Sequence, residues 1–167
     1  MTRTTKAFSV SLNLETAEAL ERAAASSGLS AGLKIAEIVE SYFLDPENPE
    51  MAEDVKADLR LLRHLRDEAI KKMTAIKNKQ GFSADITLKT FTACQGDAEW
   101  LQRYETYVRR NALATGNPRK TNANQTIGSR IKSKLGADDL IDTSGKVQRG
   151  RAPVGHIIQT YQLLRLP

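Results

Sequence analysis

Apolar and polar positions alternate from Ala7 to Leu12: Phe8, Val10 and Leu12 fall on one face of a short strand, and Ala7, Ser9 and Ser11 on the other. The period then changes to that of a helix. Asn13 is placed to cap a first helix with Ala17, Leu20 and Ala24 inward, and Gly28 to end it in the left-handed conformation. Ser30 caps a second helix whose inner stripe is Leu33, Ile35, Ile38, Val39, Tyr42 and Phe43. Asp45-Pro46 stops it, because the residue before a proline is driven out of the helical region.

Residues 45–49 hold two prolines and two acids and predict an extended hinge. From about Glu50 to Lys79 one apolar stripe runs through Val55, Leu59, Leu62, Leu65, Ala69, Met73 and Ile76, so a long helix is expected, of about 40 Å at about 1.5 Å per residue. It reads as a spacer, a coiled-coil seam or the first helix of a second domain. After Gly81, Ser83 is the expected cap of a helix with Ile86, Leu88 and Phe91. Asp97 caps a better one with Trp100, Leu101, Tyr104 and Val108 inward. Residues 114–121 form a basic turn; Asn122 or Asn124 then opens a helix through Leu135, with Ile127, Ile131 and Leu135 as its buried seam and Gly136 as its stop. A hairpin comes next, built from the basic stretch Lys146–Arg151 and the apolar run Val154–Leu164.

Charge changes this picture. Residues 1–102 carry 13 Lys+Arg against 16 Asp+Glu, a net of −3, whereas residues 103–167 carry 12 against 4, a net of +8. So one-sided an excess points to a polyanion, most simply nucleic acid, as partner of the second half. One cysteine and two histidines leave no Cys/His metal cluster, and no metal or cofactor is expected. No phosphate-cradling loop, nucleophile elbow or H-E-x-x-H is present, so an enzyme is not expected, and Asp138, Asp139 and Asp142 read as a solvated turn. No apolar run reaches signal-peptide or membrane-spanning length. A cytoplasmic, nucleoid-associated protein without membrane contact is the expectation.

A single strand followed by two helices leaves a sheet edge unsatisfied, and the simplest partner is the same strand of a second copy. The run F-S-V-S-L-N-L-E, a helix, G-L-S and a second helix ending near S-Y-F resembles the ribbon-helix-helix repressors of the Arc and MetJ type, over about a quarter of the chain. The resemblance implies an intertwined homodimer whose ribbon enters the major groove with Ala7, Ser9 and Ser11. It also implies a phosphate held at the amide end of the second helix by Ser30, Ala31 and Gly32. Arg3, Thr5 and Lys6 would add contacts just upstream. Ala7 and two serines discriminate bases coarsely, however, since the long bidentate side chains of sharp readout are missing.

In the second half, helix, basic loop, helix with a polar outer face and arginine-bearing hairpin follow the order of a winged helix. There Arg119, Lys120, Thr121, Asn122, Asn124, Gln125, Ser129, Arg130, Lys132 and Lys134 form the expected DNA face of the reading helix and its entry. Lys146, Gln148, Arg149 and Arg151 form the wing. E-W-L-Q-R-Y-E-T-Y, a Gly-containing loop, I-G-S-R-I-K-S-K-L-G and the wing are similar to the winged-helix tails of phage and plasmid primases, without the primases' catalytic motifs. The expected chain is mainly α with small β. Its parts are a ribbon-helix-helix unit at 1–44, a linker and long helix at 45–80, and a basic winged-helix-like α+β domain at 81–167. The expected function is sequence-specific binding of double-stranded DNA, as a dimeric transcriptional repressor of phage, plasmid or bacterial origin. The alternative is a DNA-bound antitoxin-like, partition or transfer adaptor whose C-terminal half holds a protein partner.

Overall fold

The computed structural model describes residues 9–167 and is mainly helical, with two small antiparallel sheets. The elements in order are α1 (Leu14–Ser26), α2 (Ala31–Leu44), α3 (Glu53–Gln80), α4 (Ile86–Gln95), α5 (Ala98–Val108), α6 (Pro118–Leu135), β1 (Asp138–Asp139), β2 (Arg149–Arg151), β3 (Thr160–Gln162) and β4 (Leu164–Arg165). Arg3, Thr5, Lys6, Ala7 and Phe8 lie outside the described residues. Residues 9–13 form no strand ladder within the single chain.

Local chemistry accounts for the first two helices. The Asn13 side chain accepts from the Thr16 amide at 2.8 Å. At the other end of α1, Gly28 takes φ 64°, and the amides of Leu29 and Gly28 donate back to the carbonyls of Ala24 and Ala25. This paired closure satisfies carbonyls the helix leaves free, and Ala24 and Leu29 are buried beside it. Ser30 caps α2 by accepting from the Leu33 amide. The expected hinge after α2 is instead pinned. Lys56, itself buried, donates to the carbonyls of Asp45 and Asn48 at 3.0 and 2.6 Å, and Asn48 Nδ2 donates to the Tyr42 carbonyl. A chain held by an ammonium and an amide in this way is not an extended linker.

Of the three roles open to the long helix, α3 takes that of a core helix. Leu62, Leu65, Ala69 and Met73 pack with Phe91, Trp100, Tyr104, Ile127, Ile131 and Ile157 in one apolar cluster. Trp100 anchors it, stacked on Tyr104 at 5.0 Å and donating its indole N–H to the Leu65 carbonyl. Ala24 and Leu29 are not part of this cluster, so α1 and α2 sit beside the core.

Two helix starts differ from expectation. Asp85, not Ser83, directly precedes α4, because Lys89 takes the Ser83 hydroxyl and the Ser83 carbonyl receives the Ile86 amide. α6 begins at Pro118, well before Asn122: Asn117 accepts from the amides of Arg119 and Lys120, and proline at the first helical position loses no intrahelical hydrogen bond. Its seam of Ile127, Ile131 and Leu135 is buried as expected, and Gly136 ends it at φ 59°.

After α6, β1 pairs with β4 and β2 with β3. Asp142 closes the turn at 142–146, accepting from the amides of Ser144 and Lys146. The last apolar run is not one strand. Ile157 and Ile158 reach the core from a loop at 152–159, while Val154 points fully into solvent. In β2, Gly150 faces Tyr161, whose ring carbon would lie 2.3 Å from a Cβ at that position. Gly150→Ala should therefore displace the tyrosine and lower stability by about 1 to 3 kcal/mol. A thermal melt of Gly150→Ala against Gly150→Ala/Tyr161→Ala checks it, with part of the loss recovered in the double variant.

Candidate nucleic-acid interface

Helical spacing puts Thr121, Gln125 and Ser129 on neighbouring turns of one side of α6, and all three are exposed. Gly128 lies among them with nothing within 4 Å of where a Cβ would be, so the backbone of this face is open. Across from it, the register Arg149↔Gln162 and Arg151↔Thr160 puts those four exposed residues on one face of the β2–β3 ribbon, while Gly150 and Tyr161 alternate to the other. Thr121, Gln125, Ser129, Arg149, Thr160 and Gln162 line the same open groove of about 540 Å³. A second hollow, of about 680 Å³ between the α1–α2 turn and the end of α6, shares Ser129, Lys132 and Gln162 with it, so the polar surface continues toward Ser30.

Behind this surface the expected cations divide sharply. Arg119 is structural: its Nη2 lies 2.6 Å from Asp58 Oδ1, paired by charge though off the line of a hydrogen bond, and its Nε donates to the Tyr107 carbonyl. Its guanidinium also lies 4.7 Å over the Tyr107 ring. Lys120 is buried with its ammonium on the Ala114 carbonyl, and burial lowers its pKa. Arg130 is paired with Glu37 of α2 at 2.9 Å, Lys132 with Asp139 at 2.8 Å, and Lys134 donates to the Ser27 carbonyl. Asn122 and Asn124 are held from behind: Asn122 donates to the Tyr107 hydroxyl, while Asn124 accepts from the Tyr104 hydroxyl at 2.7 Å. These seven expected contacts are therefore committed inside the protein.

Among the described residues of the second half, Arg110, Lys146, Arg149, Arg151 and Arg165 are the cations without an ion pair or side-chain hydrogen bond, and all five are exposed. Four of them lie on the strands and turn after α6. Gln148 is half-buried, and its backbone bridges the two sheets by donating to Leu140 and accepting from Leu163. Thr160 and Gln162 were not foreseen as site residues, although the polar-apolar-polar order T-Y-Q is a strand signature that could have marked them. Asp138, Asp139 and Asp142 do not converge: Asp139 holds Lys132 and Asp142 caps its turn. Among the described residues no group of three or more His, Cys, Asp or Glu could hold a metal. Cys94 is buried, and its thiol is pushed up to about 12 by desolvation, so it is not a nucleophile at neutral pH.

On the N-terminal side Ser9, Ser11 and Ser30 are exposed, the Ser30 hydroxyl being used as the cap of α2. Val10, Leu12, Ile38, Val39 and Tyr42 are exposed as well, the last at 58 %, so half of the expected inner stripe of α2 meets no cover within one chain. No described helix is long and apolar enough to cross a membrane. No family model matches the chain, and neither a curated protein nor a solved structure does.

Proposed function

We propose that this protein is a dimeric, sequence-specific binder of double-stranded DNA of the transcriptional-repressor kind, gripping DNA with the groove between α6 and the β2–β3 ribbon. The observation that carries the reading is the pairing of an amide- and hydroxyl-bearing helix face, Thr121, Gln125 and Ser129, with the unpaired Arg149 opposite. A glutamine offers a donor and an acceptor side by side, the pattern an adenine presents in the major groove, and short hydroxyls accept or donate to several base edges. Arg149, Arg151 and Lys146 supply exposed positive charge for phosphates, which fixes position on the duplex without reading sequence. Dimerisation through α1, α2 and the preceding segment is supported by the uncovered Val10, Leu12, Ile38, Val39 and Tyr42. A ribbon contributed by both copies, as in the ribbon-helix-helix proteins, would bring two α6 grooves to one DNA and double the phosphate contacts.

Duplex titrations by fluorescence anisotropy over a salt series test this. Log affinity should fall steeply with log salt, and Arg149→Ala and Arg151→Ala should each flatten the slope by about 0.9, the loss of one phosphate contact. Gln125→Ala should cost about 1 to 3 kcal/mol on a selected sequence and little on random DNA. A flat salt dependence in folded protein would pass the second half of the chain to a protein partner.

A further inference from the structure

α6 carries a second cationic face, and the N-terminal helices cover it. At about 100° per residue, Ser133, Arg130 and Lys134 lie next round the helix from Gln125 and Ser129. Each of the three is engaged by α1, α2 or the turn between them: Arg130 by the Glu37 carboxylate at 2.9 Å, Ser133 by the Gly28 carbonyl at 3.4 Å, and Lys134 by the Ser27 carbonyl at 3.0 Å. Glu37 is itself shared with Lys34 at 3.0 Å. Further polar contacts hold the helical pair, Arg66 on Glu40, Arg63 on the Ser41 hydroxyl and Lys56 on the linker carbonyls. No apolar residue of α1 or α2 belongs to the central cluster or is among those packed against it, Ala24 and Leu29 being buried outside it. A polar interface of this sort is the kind across which parts of a chain move relative to each other. A phosphate offers Arg130 the same charge-assisted hydrogen bonds as Glu37 does.

Resting on the reading of α6 as a nucleic-acid helix, we infer that the α1–α2 pair is an autoinhibitory cover: Glu37 stands in for a DNA phosphate on Arg130, and its release adds the Arg130–Lys134 face to the grip. The covered form binds through the groove alone. The uncovered form makes at least one more phosphate contact, and DNA and the α1–α2 turn compete for the same side chains.

The test is a double-mutant cycle on the full chain, read as affinity for a random-sequence duplex at about 0.1 M salt. Glu37→Gln should raise affinity by roughly three- to tenfold and steepen the salt slope by about 0.9, the value of one phosphate contact. Removing a negative charge alone would also help binding, so the second arm decides: in an Arg130→Ala background, Glu37→Gln should give no gain. Hydrogen exchange adds a structural readout, with the Leu29 amide exchanging faster in Glu37→Gln than in the wild type. A gain that persists without Arg130, or no gain at all in a wild type that binds, overturns the cover and leaves the DNA reading standing. If neither the wild type nor Glu37→Gln binds a duplex at low salt, both fall together.

Discussion

Ile38→Asp is expected to turn a dimer into a monomer while leaving the core of α3–α6 folded. Ile38 is 53 % exposed in the single chain, one turn from Tyr42 and beside Val39, which are uncovered with it. In a proposed dimer that face is the seam between copies, and the aspartate would occur twice, once in each. Burying unpaired carboxylates costs far more than the apolar contacts they replace, so association should fail outright. Sedimentation should show the wild type as a dimer and Ile38→Asp as a monomer at the same concentration, with Trp100 fluorescence, which reports the separate core, unchanged. DNA affinity should fall with the dimer, because two linked grooves bind more tightly than one. A variant that stays dimeric would remove the seam from α2.

Asp58→Ala should have the largest effect on stability, a loss of about 3 kcal/mol or more. Asp58 is a nearly buried carboxylate on α3 that meets Arg119 at 2.6 Å and Arg109 at 3.2 Å, so it ties α3 to the end of α5 and the start of α6. Truncation would leave the Arg119 guanidinium desolvated without its counter-charge, and that residual charge accounts for most of the loss. Arg109 is largely exposed and adds little. Urea unfolding measures the loss directly. The same variant separates structure from function, because Asp58 and Arg119 lie outside the proposed groove. At a temperature where Asp58→Ala is still folded, its DNA affinity should match the wild type, whereas Arg149→Ala should lose affinity with no change in stability.

Much of the candidate site was legible as a set of elements and illegible as a set of free side chains. Asn13, Ser30, Asp97, Gly28 and Gly136 mark helix ends by chemistry that acts within a few residues, and each does what the local order of residues implies. The helix of residues 122–135 was visible from its four-residue seam. Its true start was not, because Asn117-Pro118 spells a turn and a capped helix equally well until something packs on the turn beside it. The apolar run at 154–164 predicts one strand for a related reason: burial of Ile157 and Ile158 looks alike in sequence whether a strand or a loop delivers them.

By itself, then, the sequence determined the helices, their caps, the polar outer face of α6 and the concentration of positive charge in residues 103–167. Those depend on neighbours three or four positions away, or on counting. Only the tertiary structure decided which charges are available. Arg119 is neutralised by a carboxylate on α3 and Arg130 by one on α2, partners 61 and 93 positions away, while Arg149 and Arg151 project from a ribbon without an ion pair among the described residues. Ion pairs form between groups that folding brings within about 4 Å, and no pattern along the chain records that distance.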